Sequence, residues 1–358
     1  MQIIANLQFL RAVAAAMVVA HHLRDLVIAQ YPFLQPVTVG AAGVDVFFVL
    51  SGVVITLSYM ANPVPAGAFM LRRILRVVPL YWITLGAIGA ALLVGLAPLG
   101  IVPDDATLTH MLQSLFFVPF ERAHGAVMPL LGVGWTLNYE MFFYAVFALL
   151  LAGLPRFHPA MVAVAMATLV ALGTLLPEPA AAAELFWNFY THPLLLEFAA
   201  GVALAVWWRG RAPRPTDARW GAAFLAAGAF GLVMVAAPAG FAQLDQGRVV
   251  YFGLPAVMLV SGAMLLEGAG YRAGGPFWML LGAASYAVYL SHPILLQVLG
   301  KALGPGLETA AKPVALTVVV IGFIVAHIAG VALHVWLEKP VTHLLSARLR
   351  RMGPARRI

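Results

Sequence analysis

Apolar runs of about twenty residues recur along this chain, and they limit the folds it can adopt more than any other feature. A helix rises about 1.5 Å per residue, so a run of that length matches the hydrocarbon thickness of a bilayer. The runs lack the alternation of polar and apolar residues that membrane-barrel strands show. We therefore expect an all-α integral membrane protein, folded as a bundle of transmembrane helices.

The composition excludes several other classes of protein. With 63% hydrophobic residues, 10% charged residues and a mean hydropathy of +0.93, the chain is too apolar for a soluble globule. The net charge of +7 resides in short loops and in the tail, so membrane topology explains it better than nucleic-acid binding. Cysteine is absent, which rules out disulfides, thiol nucleophiles and thiolate metal sites. No metalloprotease, Walker or dinucleotide motif occurs, so we expect no metal.

The hydropathy pattern predicts about ten spans, with both termini in the cytoplasm. The segments that this topology places inside hold fifteen Lys and Arg residues, and those outside hold five. We expect a transmembrane domain over 1–340 and a basic cytoplasmic tail over 341–358 that rests on anionic lipid. The apolar piece 108–120 is too short to span and is expected to form an outer-face or re-entrant helix. The predicted spans are 7–29, 40–60, 79–97, 134–153, 159–176, 185–208, 220–237, 248–266, 277–299 and 313–336.

The first span carries ionisable residues within its apolar run. Eleven residues separate Arg11 from His22, which returns the helix to within about 20° of the same face, about 16 Å further along. The adjacent His21 lies about 80° away, so the two histidines do not face one cavity. Asp25 falls one turn beyond His22 and is a candidate to orient its ring. An imidazole suits proton transfer near neutral pH, but a histidine that only bonds neighbouring helices fits the pattern equally well.

The second and fourth spans also carry polar side chains. Asp45 lies one turn inside the second span, where a helix cap is the alternative to a position facing protein, and Ser51 lies at mid-depth. In the fourth span Trp135, Glu140 and Tyr144 form a polar edge, with Glu140 and Tyr144 one turn apart. A glutamate within the membrane is a functional candidate by default, and a structural pair with Arg or Tyr is the alternative.

Arginines cluster just before the third span. Arg72, Arg73 and Arg76 are expected on a short cytoplasmic helix at its mouth, where they suit a phosphate group. Anchoring by the positive-inside rule is the competing explanation.

The ninth span contains Ser285, Tyr286, Tyr289 and His292 in the segment SYAVYLSHP. Ser285 and His292 are seven residues apart and share a face, and an aromatic belt is the alternative role for this segment. His327 and His334 in the last span are also seven apart, and we expect no carboxylate beside them. His192 and Glu197 in the sixth span are expected to be structural.

Together these segments resemble the acyltransferase-3 family of membrane O-acyltransferases, and within it the exopolysaccharide-modifying members. The resemblance covers essentially the whole chain. It rests on NLQFLRAVAAAMVVAHH, GVDVFFVLSG, RRILRVVPLYW, WTLNYEMFFY, SYAVYLSHP and the closing Glu338-Lys339-Pro340.

The resemblance implies transfer of an acyl group, usually acetyl, from cytoplasmic acyl-CoA to a hydroxyl of an envelope carbohydrate or lipid-linked sugar. It implies a multi-pass protein of the bacterial plasma (inner) membrane. It selects His22 over His21, places Arg11 and Glu140 in the site, and assigns the phosphates of CoA to the arginine cluster. Tyr286, Tyr289 and His292 line the same cavity by this comparison. The chain ends shortly after the tenth span, so we expect transfer to be completed within the membrane domain.

The expected mechanism uses His22 as general base, oriented by Asp25, Asp45 or Glu140, with Arg11 or Tyr289 stabilising the oxyanion. An acyl-carrying His22 is the main variant. The rival interpretation is a transporter or exporter of lipid-linked sugar, in which the buried ionisable groups relay protons. A structural anchor would leave those groups unexplained.

Overall fold

The computed structural model describes residues 4–28, 31, 34, 38–93, 101, 103–105, 107–234, 247–307 and 312–352. These residues form α-helices joined by short connections, and their one β-type pairing is an isolated bridge between Glu121 and Val127. The helices are α1 Ala5–Arg24, α2 Gly43–Ala61, α3 Ala66–Leu93, α4 Leu108–Leu115, α5 Trp135–Gly153, α6 Ala160–Leu175, α7 Ala181–Tyr190, α8 Leu195–Arg209, α9 Asp217–Met234, α10 Leu254–Gly268, α11 Pro276–Leu307, α12 Lys312–Leu333 and α13 Lys339–Met352.

Nine of the ten predicted spans each overlap one helical segment, whereas the sixth, 185–208, covers both α7 and α8. Among the described residues, seven helical segments are long and apolar enough to cross a membrane. The shorter or less apolar α1, α6 and α9 are not among those seven. Residues 29, 94–97 and 235–237 of the predicted spans lie outside the described residues, as do residues 353–358 of the predicted tail. The seven helical segments are Val39–Ala61, Ala66–Leu93, Gly132–Gly153, Ala183–Arg209, Val249–Gly268, Pro276–Leu303 and Pro313–Ala347.

The expectation of a separate short helix for the arginine cluster was wrong. Helix α3 runs without a break from Ala66 to Leu93, with Pro79 in its interior. Proline is tolerated inside membrane helices because neighbouring groups satisfy the backbone that it frees. The arginines therefore extend directly from a long apolar helix, which fixes their direction relative to the bundle. The short helix predicted within 108–120 is present as Leu108–Leu115, capped by the Thr107 hydroxyl.

Small residues bring several helices into close contact, as expected where packing replaces the hydrophobic effect. Gly52 of α2 faces Gly201 of α8, and a Cβ on Gly52 would lie 2.5 Å from the carbonyl oxygen of Phe198. Gly221 of α9 lies against Gly262 of α10 in the same way. These glycines allow α9 and α10 to pack at close distance.

Side-chain hydrogen bonds fix the start of α1, the helix that carries Arg11 and His22. The Asn6 amide nitrogen donates to the carbonyl oxygens of Ala263 and Tyr271, and its amide oxygen accepts from the Ala273 backbone. These bonds tie α1 to the end of α10 and the connection that follows it. The position of α1 along the bundle axis is thereby set.

Candidate active site

A cavity of about 880 Å³, counted to its open mouth, lies among α1, α2, α3, α5 and α11. Its wall combines an apolar surface with a minority of charged and hydroxyl groups, which is the usual character of a small-molecule site. The polar lining residues are Arg11, Ser51, Arg73, Arg76, Thr136, Glu140, Tyr144, Ser285, Tyr286 and Tyr289.

Arginines from two helices form one end of this cavity. Arg73 and Arg76 extend from α3, and Arg11 joins them from α1. Arg11 makes no hydrogen bond or ion pair with the described part of the chain, and Nε of Arg73 is buried without a partner there. Arg72 does not line the cavity, because it points to the exposed side of α3. Of the predicted trio, Arg73 and Arg76 therefore line this cavity, together with Arg11.

Glu140 is the carboxylate that lines the cavity. Its Oε1 accepts hydrogen bonds from the hydroxyls of Ser51, at 2.9 Å, and Tyr144. These two donors come from α2 and from one turn further along α5, so they hold the carboxylate in a fixed direction. The predicted neighbourhood of Ser51, Glu140 and Tyr144 is therefore present, and it lies beside the arginine end of the cavity rather than beside His22.

Two tyrosines of α11 line the cavity: Tyr286 lies beside Arg76, and Tyr289, which packs on His292, forms the tyrosine end. The Tyr286 hydroxyl donates to the carbonyl oxygen of Val77 at 2.7 Å. The Tyr289 hydroxyl donates to the carbonyl oxygen of Val133 at 3.0 Å and lies 3.0 Å from the Thr136 hydroxyl. Ser285, which is fully buried, lines the wall between them without a hydrogen-bond partner among the described residues. Because Tyr289 gives its proton to Val133, it does not present a donor to the cavity in this conformation.

His22 forms a hydrogen-bonded pair with His292, beyond the tyrosine end of the cavity. The distance between His22 Nδ1 and His292 Nε2 is 3.2 Å, and their ring centroids are 5.0 Å apart. His22 Nδ1 also lies 3.0 Å from the carbonyl oxygen of Val18, and His292 Nδ1 lies 3.1 Å from that of Val288. His292 is fully buried, whereas His22 is half-buried.

These hydrogen bonds determine which ring nitrogen of each neutral histidine carries the proton. A carbonyl oxygen only accepts, so Nδ1 of His292 donates to Val288 and its Nε2 is an acceptor. Nδ1 of His22 accordingly donates, both to Val18 and toward His292. The Nε2 of His22 is left with a free lone pair, as a general base requires.

The rings of Tyr289 and Phe47 separate the histidine pair from the cavity. Both line the cavity, their centroids are 6.1 Å apart, and the Tyr289 ring lies 5.9 Å from that of His292. Neither His22 nor His292 lines the cavity. Arg11 does not neighbour His22 either, because eleven helical residues separate them by about 16 Å along α1.

The two aspartates expected beside His22 have other partners. Asp25 is exposed and pairs with the adjacent Arg24 at 2.9 Å. Asp45 is fully buried, which confirms a position facing protein, and its two oxygens accept from Arg248 Nε at 2.9 Å and Nη2 at 2.6 Å. Asp45 pairs with the Arg248 guanidinium because a buried charge is costly unless it is paired.

Trp135 was expected in the substrate cavity, and the structure places it in the aromatic core behind the wall. Its ring packs edge-on against those of Phe48 and Tyr139, and the Arg248 guanidinium lies 6.0 Å from it. Glu197 is also buried, and its Oε1 lies close to Gly253, 2.7 Å from where a Cβ on that glycine would be.

Sequence reasoning missed three polar pairings. Arg248, at the start of the predicted span 248–266, is the partner of Asp45. His334 was expected to lack a carboxylate, but its Nδ1 donates to Glu338 at 2.7 Å, and Glu338 also accepts from Arg76 at 2.8 Å. The spacing of four residues between His334 and Glu338 was the available signal.

Among the described residues, no group of three or more metal-ligating side chains was found.

Comparison with known protein families indicates the class of reaction to which this chain belongs. Residues 4–335 match the acyltransferase-3 family, which is described as an acyltransferase domain. The chain belongs to the acyltransferase-3 family. A curated relative of this acyltransferase is the exopolysaccharide production protein ExoZ of Rhizobium meliloti (strain 1021), 36% identical over 325 residues, which cover 90% of this chain and 93% of that protein. No solved structure matches this acyltransferase. The family favours acyl transfer in a membrane over the rival transport function.

Proposed function

We propose that this protein transfers a short acyl group, most simply acetyl, from cytoplasmic acyl-CoA to a hydroxyl of an exopolysaccharide unit or its lipid-linked precursor. The observation that carries the proposal is the position of the Tyr289 ring. It lines the arginine-containing cavity on one side and packs against His292 of the His22–His292 pair on the other. The family supports the acyl transfer, and the relative's role in exopolysaccharide production supports the class of acceptor.

The charge of the cavity favours an anionic donor. Three arginines line it against one carboxylate, and neither Arg11 nor Arg73 has an ion-pair partner among the described residues. Guanidinium groups bind phosphate through parallel hydrogen bonds, so the phosphates of CoA fit this end. The pantetheine arm then follows the wall past Glu140, whose second carboxylate oxygen is available to its amide N–H groups. The thioester is thereby directed toward the tyrosine end.

The histidine pair supplies the base for the transfer. Nε2 of His22 takes the proton of the acceptor hydroxyl while that oxygen attacks the thioester carbonyl carbon. The C–S bond breaks as the tetrahedral intermediate collapses, and the CoA thiolate leaves and takes the proton from the His22 imidazolium. His292 Nε2 faces Nδ1 of that imidazolium and stabilises it. The rings of Tyr289 and Phe47 must move aside for donor and base to meet.

The proposed topology puts the donor and its site on the same side of the membrane. Ten spans with cytoplasmic termini leave the arginine end of the cavity facing the cytoplasm, where acyl-CoA is made. This arrangement follows the positive-inside distribution of Lys and Arg. We place the protein in the bacterial inner membrane, with the acceptor approaching the half-buried His22.

Radiolabelled acetyl-CoA tests the proposed function directly. Purified protein in liposomes, incubated with labelled acetyl-CoA and isolated exopolysaccharide precursor, is expected to release free CoA and label the glycan. His22→Ala protein of equal thermal stability is expected to do neither. Proton-coupled sugar flux without consumption of CoA by the wild-type protein would establish the transporter interpretation instead.

A further inference from the structure

The end of the chain reaches the cavity mouth through one carboxylate. Glu338 is buried, with 2% of its side chain exposed, and its Oε1 accepts from Arg76 Nη1 at 2.8 Å. Its Oε2 accepts from His334 Nδ1 at 2.7 Å. Glu338 belongs to the closing Glu338-Lys339-Pro340 segment, just beyond the residues 4–335 that match the family, and the resemblance gives it no role of its own.

A π-helical turn from His334 to Glu338 produces this arrangement, between α12 and α13. Such turns are rare overall, but those that do occur often lie near functional sites, because one extra residue per turn redirects the side chains that follow. His334 occupies the first position of the turn and donates to the carboxylate at its last position. The carboxylate is therefore fixed from its own helix as well as from α3.

Arg76 has a different environment on each of its two sides. It lines the arginine end of the main cavity, and on its other side it lies in a narrow surface crevice together with Glu338, Val341 and Thr342. With 37% of its side chain exposed, Arg76 is free to extend toward lipid headgroups or water when nothing holds it. Glu338 is its hydrogen-bond partner among the described residues.

We propose that Glu338 is a positioning residue that holds the Arg76 guanidinium at the cavity mouth to receive the phosphates of the acyl donor. This inference rests on the proposed function, because it assumes that the arginine end binds acyl-CoA. Holding Arg76 in place before binding removes the cost of ordering a long side chain when the donor arrives. His334 supports Glu338 from behind and does not contact the cavity.

Two effects of removing Glu338 oppose each other, and they predict opposite changes in KM. Loss of positioning weakens donor binding and raises KM. Loss of a negative charge near the phosphates strengthens donor binding and lowers KM. We expect positioning to dominate, because the mouth is open to solvent, where charge interactions are screened.

The experiment compares initial rates of the full-length protein in liposomes. Glu338→Ala is expected to raise KM for acetyl-CoA about tenfold, the effect of one lost charge-assisted hydrogen bond, and to change kcat less than twofold. Glu338→Gln keeps the shape and is expected to give a smaller rise. If Glu338→Ala fails to fold, the Glu338→Gln protein is used for the test. In whichever variant is measured, a KM equal to or below the wild-type value overturns the proposal.

A double-mutant cycle tests whether Glu338 acts through Arg76. In an Arg76→Ala background, Glu338→Ala is expected to leave KM unchanged, since the group it positions is gone. Additive effects on KM would overturn the proposal. The matched control is Asp217→Asn, which breaks a similar buried pair with Arg211 at 2.6 Å far from the cavity lining and should leave KM unchanged.

The two proposals fail in distinguishable ways. If the wild-type protein does not consume acetyl-CoA, the proposed function is wrong. If it does, and Glu338 variants of normal stability keep the wild-type KM, the role of Glu338 alone is wrong.

Discussion

The imidazole of His22 shares a hydrogen bond with that of His292, a residue 270 positions further along the chain, at 3.2 Å between Nδ1 and Nε2. The carbonyl oxygens of Val18 and Val288 fix the proton on Nδ1 of each ring. The lone pair on His22 Nε2 is the result, and both the proposed chemistry and the choice of His22 over His21 depend on it.

Replacing His22 by alanine is expected to lower the rate of acyl transfer by about 100-fold to 10,000-fold, the usual contribution of a general base. The measurement is CoA release with saturating acceptor. His21→Ala is the matched control. The His21 ring packs edge-on against that of His22, with 5.4 Å between the centroids, but it is His22 that bonds to His292 of α11. Equal losses in both variants would contradict the assignment.

Replacing His292 by phenylalanine is expected to lower kcat about tenfold, because the His22 imidazolium loses one hydrogen-bond partner and keeps Val18. KM for acyl-CoA should not change, since His292 does not line the cavity. Steady-state kinetics check both quantities. Partial recovery of kcat in His292→Gln, whose amide oxygen can accept from Nδ1 of His22, would support the role, and a change in KM alone would contradict it.

Arginines that line the cavity are expected to matter more for donor binding than one that does not. Arg11→Ala and Arg73→Ala should each raise KM for acetyl-CoA about tenfold, through loss of a charge-assisted contact to phosphate. Arg72→Ala should raise it less, because Arg72 is exposed on the other side of α3. The KM values of the three variants, measured at one ionic strength, give the comparison. An equal rise for Arg72 would show that phosphate binds outside the cavity.

Breaking the pair between Asp45 and Arg248 is expected to destabilise the bundle. Asp45→Asn leaves the Arg248 guanidinium, of which 3% is exposed, without its charge partner. Removing one member of a buried ion pair costs about 3–5 kcal/mol in typical cases. Thermal unfolding in detergent measures the loss. A variant of wild-type Tm that transfers no acyl group would instead return Asp45 to the catalytic role that the sequence suggested.

The ion pair between Asp105 and Arg122 is expected to make stability depend on pH at the acid end. Burial raises the pKa of Asp105, but hydrogen bonds from the Ala123 backbone and the Arg122 side chain outweigh it and leave the pKa below its ordinary value. The pair therefore stabilises the folded state above the unfolded-state pKa of about 3.9, and this stabilisation is lost as pH falls through the folded-state value. The difference in Tm between wild-type and Asp105→Asn protein should shrink below about pH 4. A difference in Tm that stays constant across this pH range would contradict the prediction.

Hydropathy and helical periodicity are properties of single segments, so the sequence predicted an all-helical membrane bundle. The predicted spans overlap helices, although 185–208 divides into α7 and α8. The shared face of Arg11 and His22 follows from α1 alone, as does the stacking of Glu140 and Tyr144 on α5, because about 3.6 residues per turn fixes both. The family was also identified from these segments, and the match over residues 4–335 confirms it.

The pairing of side chains between helices was decided only by the tertiary structure. Asp45 and Arg248 are 203 positions apart, and Arg76 and Glu338 are 262 apart. A helical pattern shows which side chains share a face, but not which helix that face meets or how far the neighbour is shifted along the axis. Those choices depend on contacts such as Gly52 against Gly201, whose energies belong to the packed bundle. Packing in this way separated His22 from the arginine cavity and paired Asp45 with Arg248.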